Sequence, residues 1–324
     1  MNEIYLLILS VLPGAFLTFY ILYMDRNERE PLELVLKVIL WGALSTIPAV
    51  LVEVAIGKIF PFMEIASPDI ITAFLVSFIQ VAPIEEICKL VVVLYLVWNH
   101  KEFNEENDGI VYVGASALGF GTFENIFYVF DHGFSTGIFR ALTAMPLHCF
   151  TGVIMGYYIG IAKFATGDKG KWIIFKGFFL AVLIHGLYDT FALSESEIVL
   201  LIFPLTVGLV IFGIKLLKKG RDLSLERWSH ANKPDITEED QILVLDEKPQ
   251  VVAKPKIWKA LVARTLLTLC FLFWILLLMG TFGGDENLDI QNTIAGGIIL
   301  TFLPIIIGTL LEVSYFRDKK AINI

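Results

Sequence analysis

The chain has 324 residues, of which 56% are hydrophobic and only 18% are charged. In soluble globular proteins, about a quarter of all residues are charged. A water-soluble globule is excluded because it could not bury this much apolar surface. The 25 basic and 33 acidic residues form no basic stripe, which argues against a nucleic-acid partner. The three cysteines lie inside apolar runs, with the spacing of neither a disulfide framework nor a zinc cluster.

Nine mostly apolar runs are long enough to cross a bilayer, since a hydrocarbon core of about 30 Å needs about 20 helical residues. In chain order the predicted spans are 4–24, 33–57, 71–98, 110–130, 138–162, 172–193, 197–217, 257–281 and 290–312. They predict an all-α integral membrane protein, a polytopic helical bundle. We expect a seven-span core at 1–217, a cytoplasmic linker at 218–256 and a two-span C-terminal appendix with a short tail at 257–324.

The distribution of Lys and Arg predicts the orientation of these spans. Basic residues are concentrated in alternate connections and in the C-terminal tail, whereas the remaining connections carry almost none. Connections rich in Lys and Arg stay on the cytoplasmic side of a membrane. The sequence therefore predicts an N-terminus outside the cell and a C-terminus in the cytoplasm, which agrees with an odd number of spans.

Polar residues are concentrated inside predicted spans 3 to 6. These are Glu85, Glu86, Lys89, Glu124, Asn125, His148, His185 and Asp189. Ionisable groups inside membrane spans are costly and usually functional, although some merely join helices. At about 1.5 Å of rise per residue, Glu86, Glu124, His148 and His185 all lie in the outward half of the membrane. Their similar depth predicts one shared site.

Small residues at every third or fourth position lead toward these polar groups. The stripes are Gly152, Gly156 and Gly160 with His148; Gly177 and Ala181 with His185 and Asp189; and Gly114, Ala117 and Gly121 with Glu124. Small stripes let helix backbones approach closely. Because each stripe carries a polar residue on the same side, we expect the polar groups to converge.

The predicted cluster contains the groups that hydrolysis of a peptide bond requires. A carboxylate in an apolar site can act as general base for water, and Asn125 can donate to a developing oxyanion. Two histidines and a carboxylate also match a catalytic zinc site. Residue types alone equally suit a non-enzymatic transporter or ion-relay protein. A degenerate protein that only binds a membrane partner is a third alternative.

Five short motifs together resemble the PrsW family of intramembrane proteases over roughly residues 1–217. The motifs are Asp25-Arg26-x-Glu-Arg-Glu30-Pro31, Glu85-Glu86-Ile-Cys-Lys89, Phe123-Glu124-Asn125, His148-x-x-x-Gly152 and His185-x-x-x-Asp189. More distantly, they are similar to the CAAX prenyl endopeptidase and bacteriocin-immunity superfamily. The resemblance implies a multi-pass protease of the bacterial plasma membrane. Its expected partner is a single-span anti-sigma factor, cut on the outward side as the first of two cleavages.

The resemblance also implies roles for the candidate residues. Glu85 and Glu86 would supply the general base. Glu124, His148 and His185 would activate water or bind zinc, while Lys89, Asn125 and Asp189 would support them. The family is described as metallopeptidases, whereas the wider superfamily resembles metal-independent glutamate proteases. Zinc and a metal-free mechanism are therefore alternatives at this point, and the sequence predicts no oligomeric state.

Overall fold

In the computed structural model, the described residues are 3–25, 29–61, 69–194 and 197–231, with isolated positions from 260 to 315. These residues are helical and contain no strand. The α-helices are α1 Glu3–Met24, α2 Leu32–Leu44, α3 Thr46–Ile59, α4 Ile70–Leu75, α5 Ala82–Leu96, α6 Glu106–His132, α7 Phe134–Leu142, α8 Ala144–Lys163, α9 Lys169–Leu193 and α10 Ile202–Ala231. Contacts divide the chain into two units, Met1–Pro234 and Asp235–Ile324, and the candidate site lies in the first.

Seven helical stretches are long and apolar enough to cross a membrane. They are Glu3–Met24, Leu32–Ile59, Ile70–Leu96, Glu106–His132, Phe134–Lys163, Lys169–Leu193 and Glu197–Trp228. They coincide with the first seven predicted spans, so an all-helical, multi-pass membrane protein is confirmed. Predicted spans 257–281 and 290–312 lie almost wholly outside the described residues, and the nine-span count and the orientation stay predictions.

The last described helix is longer than its apolar run. Helix α10 continues to Ala231, although we expected a linker to start at residue 218. Its polar end contacts the start of α6: Ser224 Oγ accepts the Asn107 N–H at 3.0 Å, and Arg227 Nε donates to Glu106 at 3.0 Å. These contacts explain why the helix extends beyond the apolar span.

Three of the spans contain an interruption. The second breaks at Ser45 between α2 and α3, and the fifth breaks at Thr143 between α7 and α8. In the third, a π-helical turn over Val76–Val81 precedes α5, and Pro83 lies in the first turn of α5. Proline lacks the N–H that an uninterrupted helix would use, and π-helical turns occur frequently at functional sites. This turn directly precedes the helix that carries the paired glutamates.

Helix α6 lies at the centre of the bundle, against α1, α2 and α8. The glycine stripe of α8 faces it: a Cβ on Gly156 or Gly160 would overlap the backbone of Gly109 or Glu106. The close approach that the stripe predicted is therefore present, because a side chain at either glycine would separate the two helices. This packing holds His148 on α8 at the level of Glu124 on α6.

Candidate active site

The first turns of α5 present two acids and one lysine to each other. Lys89 follows Glu86 by three residues and Glu85 by four, so all three lie on one face of the helix. The Lys89 ammonium donates to Glu85 Oε2 at 3.0 Å and to Glu86 Oε1 at 2.8 Å. Lys89 and Glu86 are fully buried. Such a cation compensates much of the cost of burying two carboxylates.

His148 connects this triplet to α6. Its Nδ1 lies 3.1 Å from the Lys89 ammonium and its Nε2 lies 2.9 Å from Glu124 Oε2. The imidazole packs directly on Gly121, where a Cβ would lie 2.5 Å from His148 Cδ2. Gly121 therefore provides the space in which the imidazole reaches both partners.

His185 on α9 completes the cluster. Its Nδ1 lies 2.7 Å from Glu86 Oε1, and its Nε2 lies 3.2 Å from Asp189 Oδ2 and 3.7 Å from Glu85 Oε2. The two imidazole rings are perpendicular, with centroids 5.4 Å apart. Four helices thus place two histidines and four carboxylates around one buried lysine.

Asn125 is the candidate that does not join this cluster directly. Its amide N–H₂ donates to the Ser10 carbonyl at 2.9 Å, and its side-chain oxygen accepts from Arg140 Nε at 2.9 Å. It is fully buried between α1 and α7. Both ends of the amide are therefore engaged within the protein, and the structure gives Asn125 a contact with Arg140 where we expected one with substrate.

Two residues of the site were absent from the sequence-based set. Arg140 Nη2 lies 3.1 Å from Glu124 Oε2, but the sequence treats Arg140 as a charge at the edge of a connection. Glu53 lies on α3 inside predicted span 33–57 and lines the same cavity. A search for every acid inside a span would have found Glu53. The position of Arg140, eight residues before His148, is a weaker signal.

A cavity of about 750 Å³ opens onto these groups. Its polar lining includes Glu53, Glu85, Glu124, Arg140, His148, His185, Tyr188 and Asp189. Glu86 and Lys89 are not part of the lining, so they lie behind the groups that a ligand would meet. Of the paired glutamates, Glu85 therefore faces the cavity and Glu86 does not. The sequence alone could not make this distinction.

Glu85, His148 and His185 form a group that can hold a metal, with one ligand atom from each lying within 4.8 Å of the others. We expected Glu124 in this set, but its carboxylate pairs with Arg140 and His148. The donor types fit zinc. However, the Lys89 ammonium already lies within 3.1 Å of Glu85 and His148, so a bound dication would have to displace it.

Comparisons with known proteins identify the family. Residues 30–215 match the model of the PrsW family of intramembrane metalloproteases. The chain is 36% identical to Protease PrsW of Geobacillus kaustophilus over 188 residues, which are 58% of this chain and 80% of the relative. It is 32% identical to Protease PrsW of Bacillus subtilis over 218 residues, 67% of this chain and 95% of the relative.

No solved structure matches the chain. The resemblance to the PrsW family is thus confirmed by relatives matched over 80% and 95% of their length, and the transporter alternative loses its support. The matched region ends before the C-terminal unit, and it contains every residue that lines the cavity described above. The chain belongs to the PrsW family of intramembrane proteases and is a membrane-embedded peptidase.

Proposed function

We propose that this protein is an endopeptidase of the bacterial plasma membrane that cuts a membrane-anchored protein near its extracytoplasmic side. One observation carries the proposal: Glu85, Glu124, His148 and His185 line one cavity within the membrane-spanning helices of a PrsW-family chain. The inferred substrate is a single-span anti-sigma factor, and the inferred cleavage is the first of two.

Glu85 is the general base in this proposal. It lines the cavity, whereas Glu86 is fully buried and engaged by Lys89 and His185. Glu85 accepts a proton from water, and the resulting hydroxide attacks the carbonyl carbon of the scissile peptide. The tetrahedral intermediate then collapses, the C–N bond breaks and the proton passes to the leaving amine. Every atom that moves in these reaction steps comes from water, the substrate or Glu85.

Glu86, Lys89 and Asp189 position the groups that meet the substrate. Glu86 accepts from Lys89 and lies 2.7 Å from His185 Nδ1, and Asp189 faces the other ring nitrogen of His185. Carboxylates on a ring nitrogen fix the tautomer and orientation of an imidazole. Were a metal bound, Glu85, His148 and His185 would hold it, and it would supply Lewis-acid activation of water.

The cavity lies in the half of α6 nearer its C-terminal end. Glu124 is eight residues before His132, which is about 12 Å at the helical rise. The charges of the connections predict that this end lies outside the cell. The cut would therefore fall in the outer half of the membrane, where it separates an extracytoplasmic domain from its anchor.

A substrate helix reaches the cavity sideways, past α3. Ile47, Val50 and Leu51 line the cavity, yet 51–66% of their surface is exposed. In a bilayer this surface faces lipid, so the wall of the cavity continues directly into the lipid-facing surface. A membrane-anchored segment can follow that surface without crossing water.

Reconstitution tests the proposal. The full-length protein in liposomes is combined with a purified single-span anti-sigma factor that carries a donor–quencher pair across its extracytoplasmic juxtamembrane segment. We expect cleavage within that segment, and loss of cleavage in Glu85→Gln. Normal cleavage by Glu85→Gln would overturn the assignment of the base. Exhaustive chelation separates the mechanisms: surviving activity supports the metal-free route, and loss restored by zinc supports a metal site.

A further inference from the structure

We infer that Arg140 binds the carbonyl oxygen of the scissile peptide and holds the negative charge that develops on it. The inference rests on the proposed peptidase function and adds a catalytic residue to it. A base and an attacking water need such a group, because the tetrahedral intermediate carries an oxyanion. The requirement is a positive or strongly polarised N–H donor that faces the cavity.

Among the described residues that line the cavity, Arg140 is the one lysine or arginine. The other intramembrane cation of the cluster is engaged elsewhere: Lys89 contacts Glu85, Glu86 and His148 and is fully buried behind the lining. An ammonium has three N–H donors, so these three contacts leave Lys89 no donor for a substrate.

Arg140 retains donors for a ligand. A guanidinium offers five N–H groups. Nε donates to Asn125, while Nη2 lies 3.1 Å from Glu124 but makes no hydrogen bond of acceptable geometry among the described residues. Nη2 is itself buried beside Glu124, so the two N–H groups of Nη1 are the donors that a carbonyl oxygen entering the cavity would meet.

The surroundings of Arg140 hold it still. Its guanidinium lies 4.0 Å from the centre of the Tyr128 ring, and Asn125, which receives its Nε–H, is itself fixed to the Ser10 carbonyl. Preorganised donors stabilise an oxyanion without reorganisation during the reaction. In the Phe123-Glu124-Asn125 motif, Glu124 therefore contacts both His148 and Arg140, and Asn125 contacts Arg140.

The test measures kcat and KM for Arg140→Ala and Arg140→Lys with the reconstituted substrate described above. We expect kcat to fall by about 10²–10³-fold in Arg140→Ala, the typical cost of one oxyanion donor, with KM within threefold. Added guanidinium should restore part of kcat in Arg140→Ala. Lysine keeps the charge near Glu124 but lacks the planar fork, so Arg140→Lys should remain at least tenfold slow. Lys171→Ala, at an exposed cation, is the control.

A double-mutant cycle separates this role from a merely structural one. If Arg140 only holds Glu124 in place, Arg140→Ala should cost nothing further in a Glu124→Gln background. If it binds the oxyanion, kcat should fall again in that background. Activity of Arg140→Ala within threefold of wild type, or no second loss in the cycle, would overturn the inference and leave the proposed function intact. Absence of cleavage by the wild-type protein would instead refute the proposed function.

Discussion

Two buried polar clusters lie at opposite ends of α6, and they are built differently. The site cluster, made of Glu85, Glu86, Lys89, Glu124, Arg140, His148, His185 and Asp189, lies near its C-terminal half. The capping cluster, made of Asp25, Glu30, Glu105, Asn107 and Asp108, lies at its N-terminus. In the site cluster, carboxylates face cations and imidazoles around a cavity.

In the capping cluster, Asp25 and Asp108 accept hydrogen bonds from backbone and neutral groups. Asp108 Oδ2 accepts the N–H groups of Asn104 and Glu105 at 2.7 and 2.8 Å, and Asp25 accepts from the Asn107 amide at 2.7 Å. Such acids complete a helix N-terminus, where free N–H groups need acceptors. Burial of acids alone therefore does not mark a catalytic site. The site cluster differs in that its groups open onto a cavity.

The largest effect is expected from removing the buried cation of the site cluster. Lys89→Met leaves Glu85 and Glu86 without their common partner. Breaking a buried ion pair by removing one partner costs about 3–5 kcal/mol. In detergent, the unfolding temperature of the variant should therefore be well below that of the wild type, and the variant should not cleave substrate. Lys171→Met, at an exposed lysine, is the matched control. An unchanged unfolding temperature for Lys89→Met would show that charge balance does not stabilise the site cluster.

A smaller effect is expected from a single methyl group beside His148. A Cβ in Gly121→Ala would lie 2.5 Å from His148 Cδ2 and 2.8 Å from Cγ, so the imidazole must move away from Glu124 and Lys89. A misplacement of about 1 Å can cost about 10²-fold in rate. Initial cleavage rates should show this loss.

Gly208→Ala is the control for that substitution. Gly208 lies in α10 with nothing within 4 Å of the added Cβ, and alanine favours a helix over glycine by about 1 kcal/mol. Cleavage by Gly208→Ala should match wild type. If Gly121→Ala cleaves equally well, the position of His148 does not limit the reaction.

The sequence predicts a large part of this architecture, because hydrophobic length must match bilayer thickness. One shared site is predicted from two observations: the similar depth of Glu124 and His148 along their spans, and the small residues beside them. Glu124 and Asn125 are adjacent and project about 100° apart. Which of them faces the cavity depends on how α6 is rotated by its contacts, including the Asn125 bond to Ser10 on α1. No local pattern encodes that rotation.

The same limit explains the two residues that sequence reasoning missed. Arg140 is two helical turns before His148, but the chain breaks at Thr143 between α7 and α8. On a continuous helix, Arg140 and His148 would project about 80° apart. Glu53 belongs to a span that breaks at Ser45, and it lines the cavity from α3, beyond that break. Helix interruptions are set by tertiary packing, so the groups beyond them are the least predictable.

A moderate loss of stability with retained chemistry is expected in the capping cluster. Asp108→Ala removes the acceptor of two backbone N–H groups at the start of α6. Loss of a capping side chain costs about 0.5–2 kcal/mol, which should lower the unfolding temperature. The cleavage rate per folded molecule should stay within threefold of wild type. A 10²-fold loss of that rate would show that the capping cluster contributes to catalysis. The two ends of α6 would then not differ in function.

The smallest effect is a dependence of stability on pH at Asp25, just after the end of α1. Burial raises the pKa of Asp25 to about 7, with Glu30 and Glu105 adding to the rise and the Asn107 amide opposing it. The folded state therefore retains a proton that an unfolded aspartate releases near pH 4. Its contribution to stability is full below pH 4 and is lost as pH rises to about 7. Asp25→Asn cannot release a proton and should lack this decline, whereas Asp168→Asn, at an exposed aspartate, should keep it. Unfolding temperatures between pH 5 and 8 test this, and parallel profiles for wild type and Asp25→Asn would show that Asp25 is already ionised in the folded protein.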